Sequence, residues 1–262
     1  MSTRPVVVKI GGSTLGSNDT TFQDIATLQR QGVSVVVVHG GGKVITDWMQ
    51  KLGVKARFVR GLRVTDAESL DVVVAVLGGL VNKQLVVDMM AAGVKAVGMS
   101  GADAGILSGR VLDPELGYVG EVTNVAAAPV LDVLAAGYVP VIAPVAVNHV
   151  RANGAPAFLN VNADTAAGEI AAVLGADRLV FLTDVEGVLD TQKRLMPRLT
   201  PSQARQVITS GVAGGGMIPK LEACLRSLDS APCANIVDGR IPHMLLDVLN
   251  GKRTGTIVEQ GA

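Results

Sequence analysis

Aromatic side chains are scarce in this chain, making up 3 % of its 262 residues. Little surface is therefore offered for stacking bases or sugar rings. An excess of charge of one sign is missing too, because 23 Lys+Arg balance 23 Asp+Glu. A nucleic-acid binder needs a basic excess to neutralise phosphates, so that class is disfavoured. Cysteine occurs only twice, as Cys224 and Cys233. The two sit too far apart, and without nearby histidines, for a standard zinc site, and they suit a reduced compartment better than a disulfide scaffold. The opening MSTRPVVVKIGG lacks the long apolar stretch and cleavage site of a signal peptide, so the expected location is cytoplasmic. The most membrane-like run, residues 125–147, contains Asp132 as its only charge and has the length of a span. Pro129, Gly137, Pro140 and Pro144 divide it. It reads instead as a short helix over 128–136 followed by a buried strand, with no membrane contact.

What is present is apolar surface: 48 % of residues are hydrophobic and 18 % charged, enough to offset the entropy cost of folding. Runs rich in Val and Ile at residues 5–10, 33–39, 96–99, 139–147 and 179–183 lack polar alternation, as strands buried on both faces do. Between them, residues 22–31, 43–51, 67–93 and 164–174 have helical length and composition. Gly32, Gly53, Gly93, Gly137 and Gly175 stand where left-handed caps are wanted. This alternation predicts an α/β fold with a mainly parallel central sheet flanked by helices, a three-layer sandwich. Residues 112–123 read as a hairpin insertion, and a Gly-rich bend at 211–216 opens the last part of the chain.

Ligands of open α/β sheets bind beyond the carboxyl ends of the strands. Two strand-to-helix handovers here are full of glycine: Lys9-Ile10-Gly11-Gly12-Ser13 and His39-Gly40-Gly41-Gly42-Lys43. Glycine lets a backbone approach a ligand closely, and N–H groups at a helix start favour an anion. Neither loop is a Walker A motif, since Val37 replaces its first glycine and Val44 follows Lys43. The dinucleotide fingerprint, the protein-kinase motifs, the Gly-x-Ser-x-Gly elbow and the His-Glu-x-x-His helix are all absent. His149 and His243 read as structural or solvated.

Three further segments are polar within an apolar chain. Gly61-Leu62-Arg63-Val64-Thr65-Asp66 sets an arginine before a helix start that Thr65 or Asp66 would cap; a guanidinium there suits a carboxylate, or else a surface or intersubunit ion pair. Asn160-Val161-Asn162-Ala163-Asp164 joins two amides and a carboxylate at a strand end, with Asp164 either functional or a simple cap. Gly214-Gly215-Gly216-Met217-Ile218-Pro219-Lys220 drives a lysine against the start of a helix, where it calls for an anion. Phosphoryl transfer would use them together, because it needs charge neutralisation more than covalent help. Lys9 and Lys220 would flank the moving group, Asp164 would orient both ammonium groups, and Gly11, Gly12 and Gly40–Gly42 would hold its oxygens. An acceptor that is already an anion needs no general base.

The series KIGG, HGGGK, GLRVTD, LNVNADTAA, LTDVEGVL and GGMIPK resembles the amino-acid kinase family, and within it the members that phosphorylate N-acetyl-L-glutamate in arginine biosynthesis. Six motifs in family order cover the chain nearly end to end. The resemblance implies one domain over 1–262, with an acceptor-binding and dimerisation lobe at about 1–170 and a nucleotide-binding lobe at 171–262. It implies ATP with Mg2+, bound mainly through the nucleotide phosphates, and no metal held by the protein itself. Lys9, Lys220 and Asp164 match the family's catalytic group. Gly41, Gly42, Arg63 and Asn160 match its acceptor site, with Arg63 on the α-carboxylate, and Gly11, Gly12 and Gly40 match its phosphate loops. Thr183, Asp184, Val185, Glu186, Gly187, Val188 and Leu189, with Val212, Ala213 and Gly214, match its nucleotide contacts. The alternatives are a carrier-linked aminoadipate or glutamate kinase of lysine-type biosynthesis, and a non-catalytic nucleotide sensor on the same fold. The segment before the first strand and Arg253 in the tail depart from the arginine-sensitive pattern, so a homodimer without arginine feedback is expected. A PII-type regulator is an open partner. Arg60, just before GLRVTD, departs from what the resemblance leads one to expect.

Overall fold

The computed structural model describes residues 4–11, 20–150 and 154–261. Gly12, part of the first glycine loop, lies outside them. In chain order the strands are β1 (Val6–Ile10), β2 (Val35–His39), β3 (Phe58–Val59), β4 (Leu62–Arg63), β5 (Ala96–Ser100), β6 (Leu107–Val111), β7 (Gly120–Val125), β8 (Val139–Ala143), β9 (Val145–Asn148), β10 (Phe158–Asn160), β11 (Arg178–Thr183), β12 (Arg198–Leu199), β13 (Cys233–Asp238) and β14 (Thr256–Glu259). The helices are α1 (Thr21–Arg30), α2 (Gly42–Lys51), α3 (Ala67–Val74), α4 (Asn82–Ala91), α5 (Ala127–Ala135), α6 (Ala163–Val173), α7 (Pro201–Thr209), α8 (Met217–Ser227) and α9 (Met244–Leu249).

Eight strands form the central sheet in the order β12-β14-β13-β11-β1-β2-β8-β5. Only the β13–β14 pair is antiparallel. The valine runs explain the layering. Val7, Val36 and Val38 sit in one core cluster with Ala167 and Leu221 of α6 and α8, while Val6, Val8, Val35 and Val37 sit in another with Ile25, Leu85 and Leu245 of α1, α4 and α9. Because successive strand residues face opposite ways, an uninterrupted apolar run buries both faces and makes the predicted three-layer sandwich.

The five glycines expected to close helices all have positive φ, from 58° at Gly175 to 89° at Gly93. Two boundaries differ from the sequence reading. The run at 139–147 breaks at Pro144, so β8 stays in the central sheet while β9 joins a second sheet, β10-β9-β6-β7. The insertion expected at 112–123 begins earlier, as a hairpin of β6 and β7 whose connection holds a short turn of helix at Pro114–Leu116. The apolar stretch at 67–93 is helical throughout, with α3 and α4 joined by a wider π-helical segment, Ala75–Val81. Together they are long and apolar enough to cross a membrane by length and composition, and the most apolar window is 33 % buried. Here Leu70, Val73, Leu85 and Met89 are buried within the fold.

The α6–α8 contact bears most directly on the polar residues, since these helices carry Asp164 and Lys220. They pack so closely that a Cβ on Gly168 would lie 2.8 Å from the Ala223 Cα. Gly168→Ala should therefore push the helices apart and destabilise the fold by about 1–3 kcal/mol despite alanine's better helix propensity. Urea denaturation checks the sign.

Candidate active site

Three strands deliver the site to one edge of the sheet. β1 lies between β11 and β2, with Ile10 level with Leu182 and His39. Lys9 shares the side of the sheet with Val7, facing α6, and is buried. Asn162 caps α6, its Oδ1 accepting from the amides of Asp164 (2.9 Å) and Thr165 (3.1 Å). The cap being Asn162, the Asp164 carboxylate is left for other work. Its Oδ1 lies 2.8 Å from Lys9 Nζ and its Oδ2 2.9 Å from Lys220 Nζ. The bend at 211–216 ends at Gly216, the cap residue of α8, and its carbonyl also accepts from Lys220 Nζ at 3.3 Å.

Burial opposes ionisation of Asp164, but the two ammonium groups outweigh it and hold the carboxyl below its usual range. Two cations on one anion leave an excess positive charge in a place nearly closed to water. Such a charge is costly unless an anion completes it.

A cavity of about 180 Å³ is walled by Gly40–Gly42, Phe58, Arg63, Asn160 and Ala163 among others, and Ala163 directly precedes Asp164 in the chain. Arg63 lies 7 % exposed. Its guanidinium donates to the Gly42 carbonyl (2.9 Å), Thr46 Oγ1 (2.8 Å) and Met49 Sδ (3.2 Å), and stands 4.7 Å from the Phe58 ring centre. All these partners are neutral, and among the described residues Arg63 forms no ion pair within the chain. Burial alone lowers the Arg63 pKa. Asn160 donates from Nδ2 to Thr65 Oγ1 (2.9 Å), which fixes its amide at the cavity wall. As one of the two expected options, Asp66 caps α3, accepting from the Ser69 amide at 2.8 Å.

The glycine loops divide their labour. Gly11 and Gly40 extend the sheet ladder, donating to the carbonyls of Leu182 and Ile10 at 3.2 Å each. The amides at the start of α2, from Gly42 onward, have no partner inside that helix and are the donors left for a ligand. Gly41 is closely packed, since a Cβ there would meet Leu77 Cδ2 at 2.7 Å and displace that side chain. Around Gly42 nothing lies within 4 Å of a Cβ position. The protein's own packing therefore does not demand that glycine; a ligand approaching the backbone would.

A larger cavity of about 860 Å³ continues past Asn162, Asp164, Gly215, Gly216 and Pro219. Thr183 ends β11, and 184–189 lead away from the same edge of the sheet. In this strip Asp184, Val185, Glu186 and Leu189 are exposed, while Gly187 and Val188 are buried. Val188 donates its amide to Thr256 Oγ1 at 2.8 Å. Val212 is partly buried, Ala213 buried and Gly214 exposed. The side chains of Val188 and Ala213 thus serve the core. Among the described residues there is no cluster of three or more metal-ligating side chains.

In the sequence His39 is only the first letter of a glycine loop, yet it is nearly inaccessible. Its Nδ1 meets the Gly40 carbonyl at 2.9 Å and its Nε2 the Asn82 amide nitrogen at 3.1 Å. The pairing needs Nδ1 protonated and Nε2 bare, a neutral ring. Burial pushes its pKa down to about 4, with the Lys9 and Lys83 charges helping and the Gly40 carbonyl opposing. His39 and Asn82 brace the loop from behind; the strand-end position of His39 is the only signal the sequence offers for this. His243, expected to be structural or solvated, pairs with the Asp24 carboxylate at 2.7 Å, and both cysteines are buried thiols.

The chain matches the model of the Amino acid kinase family over residues 4–237. It is 44 % identical to an acetylglutamate kinase of Dehalococcoides mccartyi, an alignment covering 98 % of this chain and 95 % of that protein. It is 45 % identical to one of Prochlorococcus marinus, covering 98 % and 85 %. Among solved structures, smu.665 of Streptococcus mutans superposes with a TM-score of 0.83 at 28 % identity, covering 98 % of each chain. A carbamate kinase of Giardia lamblia bound to AMP-PNP shares the fold, with a TM-score of 0.68 at 17 % identity and 98 % and 99 % coverage.

The neutral ring of His39 ties stability to acidity. Between about pH 4 and 6.5 the unfolded chain protonates this histidine while the folded protein does not. Stability from this group is complete above 6.5 and declines by about 3 kcal/mol as pH falls through that window. His39→Asn should flatten this slope, whatever it costs at neutral pH. Denaturation midpoints across the window measure it.

Proposed function

The chain belongs to the amino acid kinase family, and from that premise we propose that it catalyses the acetylglutamate kinase reaction. The terminal phosphoryl group of ATP passes to the side-chain carboxylate of N-acetyl-L-glutamate, giving N-acetyl-L-glutamyl 5-phosphate and ADP in arginine biosynthesis. The observation that carries this reading is the buried Lys9–Asp164–Lys220 group, one positive charge in excess, beside a small cavity walled by a guanidinium whose partners are all neutral.

The roles follow from that arrangement. An acceptor carboxylate oxygen forms a bond to the terminal phosphorus while the bond from that phosphorus to the bridging oxygen breaks, and ADP leaves with the electron pair. Negative charge spreads over the transferring oxygens, and Lys9 and Lys220 meet it without having to reorganise. Asp164 holds the two ammonium groups in place against their mutual repulsion. The attacking carboxylate carries no proton, so no general base is needed, in keeping with a His39 occupied in bracing the loop. Amides at the start of α2 receive phosphoryl oxygens. Arg63 takes the α-carboxylate in a two-pronged grip, and Asn160 faces the acetylated amino group.

The same reading puts the nucleotide on Thr183–Leu189 and Val212–Gly214 in the lobe from 171 onward, and the acceptor in the lobe up to 170. Mg2+ enters with the nucleotide phosphates. The protein works in the cytoplasm as a homodimer, for which the exposed Leu80, Val87 and Met90 offer apolar contact surface. A stable hexamer in analytical ultracentrifugation would overturn that last element.

The primary test is ADP release with MgATP and N-acetyl-L-glutamate, against free L-glutamate and L-aspartate, with hydroxylamine trapping the acyl phosphate. Turnover confined to the acetylated substrate is expected; tight ATP binding without turnover would refute the reading. Lys220→Ala should lower kcat about 10²–10³-fold and leave nucleotide affinity nearly unchanged. Arg63→Lys should raise the KM for the acceptor about ten- to a hundredfold, since an ammonium cannot reproduce the fork. An unchanged KM would remove Arg63 from the acceptor site.

A further inference from the structure

The β3–β4 hairpin turns through two residues, Arg60 and Gly61, both at positive φ (51° and 79°). Such turns favour Asn, Asp or Gly at the first position; a long β-carbon-bearing side chain is disfavoured there. Arginine at 60 therefore needs another reason. Its guanidinium pairs with Asp113 and lies 3.7 Å from Glu115, both in the β6–β7 connection. The Glu115 amide first, and Arg60 second, keep the Asp113 carboxyl below its ordinary range, so the pair is charged at working pH.

Among the described residues the hairpin is a two-stranded sheet joined to no other sheet, an arrangement with little stability of its own. At its base it is sewn to the same connection. The Thr65 amide donates to the Leu116 carbonyl at 2.9 Å, and the Tyr118 amide donates to the Thr65 carbonyl at 2.6 Å. Arg60 supplies a second attachment at the tip. Between these two points lie Phe58, Gly61, Leu62 and Arg63, which wall one side of the 180 Å³ cavity.

We propose that Arg60 is a positioning residue for the acceptor: its ion pair with Asp113 latches the hairpin tip and so holds Arg63 and Phe58 over the cavity. The proposal rests on the assignment of that cavity to the acceptor. An exposed pair is weak and screened by salt, which suits a wall that must yield when substrate enters and product leaves.

Asp113→Asn removes the charge but keeps the oxygen that accepts from the Glu115 amide. Arg60→Asp keeps a residue the turn accepts and sets two carboxylates against each other. Asp113→Asn should raise the KM for N-acetyl-L-glutamate about two- to fivefold, the range an exposed pair supports, with the KM for ATP and kcat unchanged. Arg60→Asp should raise it further, and the double variant should return to the Asp113→Asn value. The acceptor KM should rise with salt in both proteins, because the acceptor is an anion, but more steeply in the unaltered protein than in Asp113→Asn. Acceptor KM values equal in all four proteins would overturn the latch. Hydrogen exchange at the hairpin amides gives a readout independent of turnover. Exchange should quicken in both single variants without a matching fall in Tm, and unchanged exchange would refute the latch even if the protein proved not to be a kinase. Loss of turnover in the unaltered protein would count against the proposed reaction, leaving the exchange result to judge the latch.

Discussion

One carboxylate organises this molecule. Asp164, at the start of α6, holds a lysine from the first strand and a lysine from the eighth helix, so it joins the two ends of the chain at one point. Without that anion, two buried ammonium groups would repel each other; with it, they form a single cationic surface whose charge is incomplete. Several neighbouring features then make sense. Asn162 takes over the capping of α6 so that Asp164 is spared, and a glycine at 168 lets α8 come close enough for Lys220 to reach.

Much of the architecture is legible because apolar runs without alternation have one stable outcome, a sheet covered on both sides. Val6–Ile10 and Val35–His39 need no tertiary information to be placed, and glycines such as Gly93 mark where helices stop. Boundaries set by long-range partners are less visible. The strand run at 139–147 reads as one strand, but Pro144 breaks the ladder and β9 joins a different sheet. The hairpin of β6 and β7 starts at Leu107 because that strand pairs with β9 as well as β7, a contact between distant parts of the chain.

The site shows the same division. Charged residues in apolar settings announce themselves, and Lys9, Arg63, Asp164 and Lys220 stand out for that reason. The structure brings the first, third and fourth together and sets Arg63 in the adjoining cavity. What the sequence hides is support. Burial keeps the His39 ring neutral, and Asn82, on a helix far along the chain, meets its second nitrogen. Thr65 steadies Asn160, and Thr46 with Met49 steadies Arg63. Nor does the sequence say that Gly11 and Gly40 spend their amides on the ladder, leaving the anion donors at the next helix start.

The break at Pro144 has a consequence for selectivity. β8 runs beside β2, which leads into the glycine loop at 40–42, and a single proline later β9 runs beside β10, which ends at Asn160. The strand that leads into the glycine loop and the strand that ends at Asn160 are thus braced by neighbouring segments of one continuous stretch of chain. Their separation is a fixed length, set by backbone rather than by side-chain rotamers. In the proposed reaction that span acts as a ruler: the reactive carboxylate of a substrate would meet the lysines only when the carbon chain between its two ends matches it.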